Sequence, residues 1–201
     1  MKNLLLLSFL ILATMVGAQN TEDISDSRLA QIELNAEFSN PETTILEPED
    51  YKEFTGLEFY PINKKFIVEA KFIRTPNEKP FLMPTTTSRL PEYVKYGEAH
   101  FTIDEKDFVL NLFKSVEPYD EPGYEDYLFL PFTDLTSGDG SYGGGRFLDQ
   151  RIPEGNTIVI DFNKAYNPYC AYSPRFSCPI PPKENDLTIR IEAGVKAFGK
   201  H

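Results

Sequence analysis

From Leu57 onward, short runs rich in Phe, Ile, Val and Tyr recur, each stopped by Pro, Gly, Asn or Asp. A stop about every ten residues leaves no room for long helices, so this pattern predicts antiparallel β-structure. "FIVEAKFI" alternates and puts Phe66, Val68, Ala70 and Phe72 on one face. "HFTIDEKDFVLNLF" reads as two strands joined by a turn at Asp104-Glu105-Lys106, the second grouping Phe108, Leu110 and Leu112. "YLFLPFTDL" is apolar throughout but holds Pro131, which cannot donate to a ladder and places the run at an edge or bulge. "RFLDQRIPEGNTIVIDFN" reads as a hairpin turning at "PEGN", and "LTIRIEA" as the last strand.

Helical character is confined to the front of the chain. Ser25 or Asp26 can cap a helix with Leu29, Ile32 and Ala36 on one stripe, ending near Ser39. "LEPEDYKEFTG" has Pro48 at a first turn, acidic residues beside the positive end of the dipole and Gly56 as a stop. The expected fold is therefore mainly β: an antiparallel sandwich or partly open barrel of about eight strands with one or two N-terminal helices. Its organisation reads as a leader over 1–18, a helical lead-in over 19–44 and one β-rich domain over 45–201. The Pro-rich patch from Lys79 to Pro91 and the acidic "EPYDEPGYED" read as surface loops.

The leader expectation rests on Lys2, the apolar run from Leu4 to Val16 and the small residues Gly17 and Ala18, the pattern of a secretory signal peptide cut after Ala18. The residue directly after that point is Gln19 and not Cys, which closes the lipoprotein route and predicts a soluble periplasmic or secreted protein. No other apolar stretch is long enough to span a bilayer. With 20 Lys+Arg against 31 Asp+Glu, and no cluster of basic residues, nucleic acid and anionic membranes are poor partners.

Cys170 and Cys178 are the only cysteines. In an oxidising compartment they read first as a disulfide staple worth about 2.5 kcal/mol, ahead of a redox or metal role. Zinc needs two further ligands, which His100 and His201 are poorly placed to give, so no metal is assigned and no cofactor is indicated.

The loop "DLTSGDGSYGGGR" follows an apolar strand with five Gly in thirteen positions. Its exposed N–H groups and Arg146 can grip a carboxylate or phosphate, with Tyr142 as lid, or it is a wide turn in which Asp134 and Asp139 bond their own backbone. Calcium at these two carboxylates lacks the spaced ligands of a calcium loop. In "TIVIDFNKAY" a period of two puts Val159, Asp161 and Asn163 on one side, Ile158, Ile160 and Phe162 on the other. Asp161 is a candidate general base or a structural partner for Arg146 across the expected hairpin. His100 and the serines give no nucleophile arrangement.

The strings "FTGLEFYPINKKFIVEAKF", "YLFLPFTDLTSGDGSYGGGRFL" and "IVIDFNKAYNPYCAYSPRFSCPIPPKENDLTIRIEAG" resemble the bacterial and archaeal family catalogued as domain of unknown function 1684. They cover most of residues 54–195. The resemblance marks Asp134, Thr136, Tyr142, Gly145, Arg146, Asp161, Asn163, Asn167, Pro168, Cys170, Cys178, Pro179 and Asn185 as motif positions but implies no catalytic role. Relatives that keep a similar Cys pair without an export signal leave a thiol or metal role open. Three functions follow as expectations. The first is a binding domain for a small polar or anionic ligand held by Arg146, Tyr142, Asp161, Asn163 and Asp134. The second is a hydrolase- or lyase-like enzyme using Asp161 or Asp134 as general base. The third is a structural or envelope-interaction protein.

Overall fold

A computed structural model describes residues 24–119 and 122–199. The expected signal peptide and its cleavage point fall outside the described residues.

Helix α1 spans 24–39 and helix α2 Pro48–Glu53, the latter with its proline in the first turn and Glu49 and Asp50 beside it. Eight strands follow among the described residues: β1 (Ile67–Arg74), β2 (Phe81–Leu82), β3 (Glu92–Ile103), β4 (Lys106–Ser115), β5 (Tyr127–Asp134), β6 (Arg146–Arg151), β7 (Thr157–Asp161) and β8 (Asp186–Leu187). They form one sheet in the order β6-β5-β4-β3-β1-β7, with β2 added to β3 and β8 parallel to the end of β5. The sheet curls into a half-barrel around Val68, Ala70, Phe72, Leu110, Leu112, Leu130 and Ile160. The alternation in β1 holds, and Asp104 and Glu105 turn the β3–β4 hairpin with positive φ, the geometry a two-residue connection demands.

Three strand expectations are corrected. Pro131 lies inside the sheet, since β5 pairs with β6 on one side and meets β4 at Phe113–Phe129 on the other. The ladder that proline cannot complete is replaced by a side chain. Asn185 Nδ2 donates to the carbonyls of Pro131 (2.7 Å) and Asn111 (2.9 Å), and its Oδ1 accepts the Asn111 N–H (2.8 Å).

β6 and β7 do not form a hairpin. They are the two opposite edges of the sheet, so "PEGN" bridges the open seam of the half-barrel instead of turning a ladder. "LTIRIEA" keeps only its first residue, Leu187, in the two-residue strand Asp186–Leu187, because side chains capture the backbone beyond it: Asp134 Oδ2 accepts the Ile191 N–H (2.8 Å) and Arg146 donates to the carbonyls of Ile191 (2.8 Å) and Ala193.

The face of α1 is also inverted. Leu29 and Ile32 are 54% and 56% exposed, while Ser27, Gln31 and Phe38 are buried. Residues two apart on a helix lie about 200° apart, so docking on the Ser27 face turns the aliphatic stripe outward. Polar partners explain the choice: Ser27 Oγ donates to Asp161 Oδ2 (2.6 Å), Gln31 Nε2 to the Asn163 carbonyl (3.0 Å), and Asn35 Oδ1 accepts the Leu57 N–H (2.7 Å). At the far end Phe38 packs edge-on against Tyr172, 4.6 Å between centroids.

β5 is buried on both faces. Leu128, Leu130 and Phe132 point into the half-barrel, whereas Tyr127 and Phe129 join Phe113, Phe147, Met83 and Cys178 in a second cluster on its outside. The Pro-rich segment expected at the surface covers that cluster through buried Met83 and Thr85.

Candidate functional site

The residues expected to converge separate into two closed networks. In the first, Arg146 is 0% exposed and its guanidinium lies 3.0 Å from Asp134 Oδ1. Asp134 also accepts from the Thr136 hydroxyl and amide, both at 3.0 Å. Burial pulls the Arg146 pKa down and the adjacent Asp134 carboxylate opposes that shift. Among the described residues only Nε of this guanidinium meets no acceptor. The Gly-rich loop packs on this network and needs Gly145: its φ is +88°, and a Cβ there would stand 2.6 Å from the Phe132 carbonyl oxygen.

In the second network β7 ends at Asp161, which caps the short 3-10 turn Phe162–Lys164 by accepting the Asn163 amide (3.0 Å). The turn folds Asn163 back, so its Nδ2 reaches Asp161 Oδ1 at 2.8 Å instead of standing a strand repeat away. Asn163 also exchanges bonds with the backbone of Asn63 at 2.9 and 3.1 Å. Arg146 therefore pairs with Asp134 and not with Asp161, because the strands that carry Arg146 and Asp161 are opposite edges and not neighbours. Tyr142 belongs to neither network; its hydroxyl lies 3.7 Å from Cys170 Sγ. Asp139 pairs with Arg190 at the surface, 2.7 Å. Cys170 and Cys178 are free thiols, so the expected staple is not present.

The open concavity is the seam itself. α1 lies across the gap between β6 and β7 and leaves a groove of about 770 Å3, walled by Glu33 and Glu37 of α1, Asp149 and Arg151 of β6, and Val159 and Asp161 of β7. It continues past Leu34, Glu37, Asp149 and Tyr166 into a second hollow of about 570 Å3. That hollow is lined by Tyr119, Tyr124, Tyr127, Tyr166, Tyr169 and Phe147, with Glu37 and Asp149 as its charged groups. Among the described residues no lysine or arginine lines it.

Tyr119, Tyr124 and Tyr127 pack mutually, tilted or edge-on, with centroids 5.2 to 5.5 Å apart. The hydroxyls of Tyr127 and Tyr166 both donate to Asp149 Oδ1 at 2.7 Å, and Tyr169 donates to Glu37 Oε1 at 3.0 Å. No protein donor among the described residues meets Asp149 Oδ2. Burial, reinforced by these carboxylates, pushes the pKa of Tyr127 and Tyr166 well above the usual phenol range and that of Tyr169 up to about 12. Sequence reasoning named Asp161 on this groove but missed the tyrosines. The available signal was their density in two short stretches, three between 119 and 127 and three between 166 and 172.

No group of three or more His, Cys, Asp or Glu among the described residues is arranged to hold a metal, and none of their helices is long and apolar enough to cross a membrane.

No curated protein matches the chain. The solution NMR structure of an uncharacterized protein from Haloarcula marismortui is similar, with 30% sequence identity and a TM-score of 0.70, over 91% of this chain and 99% of that one. The family described as "Protein of unknown function (DUF1684)" matches residues 52–196. The chain thus belongs to that family.

Proposed function

We propose that this protein is a small-molecule binding domain whose site is the tyrosine hollow at the end of the seam groove, and that its ligand carries an organic ammonium group. The carrying observation is the hollow in which five tyrosines and two carboxylates are gathered without a lysine or arginine on its wall. Aromatic faces attract a cation electrostatically, and desolvation strengthens that attraction to about 2 kcal/mol per ring. Asp149 Oδ2 adds a hydrogen-bond acceptor, and the net charge of −11 favours a cation further. This changes the ligand class expected from Arg146, whose guanidinium is enclosed. The hydrolase or lyase alternative gains less support, since the oxygens of Asp134 and Asp161 are already engaged by protein donors. Export to the periplasm or exterior belongs to the same proposal and rests on residues 1–18 alone.

Calorimetric titration with choline, tetramethylammonium and spermidine, against citrate and phosphate, tests the reading. Binding of at least one cation, weakened about 2- to 30-fold by Tyr169→Ala and also weakened by Asp149→Asn, is the expected result. Tyr124 is the poorer probe, because Arg151 already lies 5.2 Å from its ring centroid. Binding of the anions alone sinks it and returns the site to a basic surface.

A further inference from the structure

We propose that Cys170 and Cys178 are the attacking and resolving thiols of a thiol–disulfide exchange site whose substrate is a low-molecular-weight disulfide. The inference is independent of the ligand assigned to the groove. The short 3-10 turn Tyr169–Ala171 brings the Cys170 amide within 3.2 Å of Cys178 Sγ. The two sulfurs have unequal surroundings. Cys170 is partly exposed, with the Tyr142 hydroxyl 3.7 Å away. Cys178 is buried, walls the tyrosine hollow, and is pinned through its amide to the Thr86 hydroxyl at 3.1 Å. A partly exposed cysteine with a hydroxyl beside its sulfur, next to a buried cysteine, is the asymmetry that such exchange needs.

The electrostatics agree with the geometry. The hydrogen bond from Cys178, followed by those from Tyr142 and Thr86, outweighs burial and brings the Cys170 thiol down to about 6. The same bond, with burial, pushes Cys178 up. In the first step the Cys170 thiolate attacks one sulfur of the substrate, forming a mixed disulfide and expelling one thiolate. Capping Cys170 removes the anion that held the Cys178 proton. Cys178 sulfur then attacks Cys170 sulfur, its proton leaves with the second substrate thiolate, and a Cys170–Cys178 disulfide forms. Two protein thiols are oxidised and one substrate disulfide is reduced to two thiols.

At pH 6 a thiol with this pKa is about half ionised. Even after the lower nucleophilicity of an acidic thiolate is allowed for, it should react about tenfold faster than an ordinary cysteine. The test treats the reduced full-length protein with oxidised glutathione and maps the products by mass. One intramolecular disulfide and two released glutathione thiols per chain are expected, and Cys178→Ser should stop at one glutathione on Cys170. Independently of any variant, iodoacetamide labelling of the wild-type chain should modify Cys170 before Cys178, with a midpoint near pH 6. Thiols unchanged by oxidised glutathione, Cys178 labelled first, or a midpoint near the ordinary value of about 8.5 would each overturn the proposal.

Discussion

Asp134 and Arg146 meet at 3.0 Å with neither side chain reaching the surface. Between them they hold the Ile191 N–H and the Ile191 and Ala193 carbonyls, so an ion pair does the work that a strand ladder does elsewhere in the sheet. A buried pair of this kind adds little over an apolar substitute, but breaking one half strands the other.

Asp134→Ala should therefore cost about 3–5 kcal/mol in urea unfolding, because it leaves the guanidinium enclosed without its counterion. A loss below about 1 kcal/mol would show that the pair is not sealed.

Asn185→Leu removes the bridge opposite Pro131. Each buried backbone group left without a partner costs about 1–3 kcal/mol, and faster hydrogen exchange at the Asn111 amide should accompany the loss. Unchanged protection at Asn111 would assign the bridge no role.

The orientation of α1 predicts unequal tolerance along one helix. Leu29→Gln and Ile32→Gln should stay within about 0.5 kcal/mol of the parent, whereas Gln31→Ala should cost about 1–3 kcal/mol. The reverse ranking would mean that the aliphatic stripe faces the core.

Gly145→Ala should destabilise by about 1–3 kcal/mol, since its left-handed backbone and the nearby Phe132 carbonyl both oppose a Cβ. Thermal unfolding measures it; a neutral substitution would show that the loop relaxes freely.

Alkaline titration reads the tyrosine hollow. Tyr127 and Tyr166 hold their protons above the unfolded value of about 10, which makes the contribution of each complete below that pH. As pH rises above about 10 the unfolded chain releases protons that the folded one retains, so stability declines toward the folded pKa values. Phenolate absorbance should show these two rings ionising only with unfolding. Full ionisation of all 11 tyrosines in the folded protein near pH 10 would refute the packing described.

What the sequence discloses is what local chemistry decides. β1 follows from its alternation, the β3–β4 turn from the polar Asp104-Glu105-Lys106 between apolar runs, and α2 from Pro48 and its acidic first turn. Which strands become edges is not local, and "PEGN" looks the same whether it turns a hairpin or spans a seam. The motif polar residues misled for a related reason. Asp134, Arg146 and Asn185 have the composition of a ligand site, yet they spend their hydrogen bonds on backbone that no strand satisfies. In α1 the polar partners at Asp161 and Asn163 outweighed the apolar stripe, a choice visible only once β7 and its turn are in place.

A half-barrel that never joins its two end strands leaves the width of its seam to be set apart from its ladders. The interior and its polar staples fix the architecture, while the aperture takes its width from one helix lying over it. Replacing residues on that single rod, such as Glu33, Leu34 and Glu37, re-tailors the opening without touching a ladder.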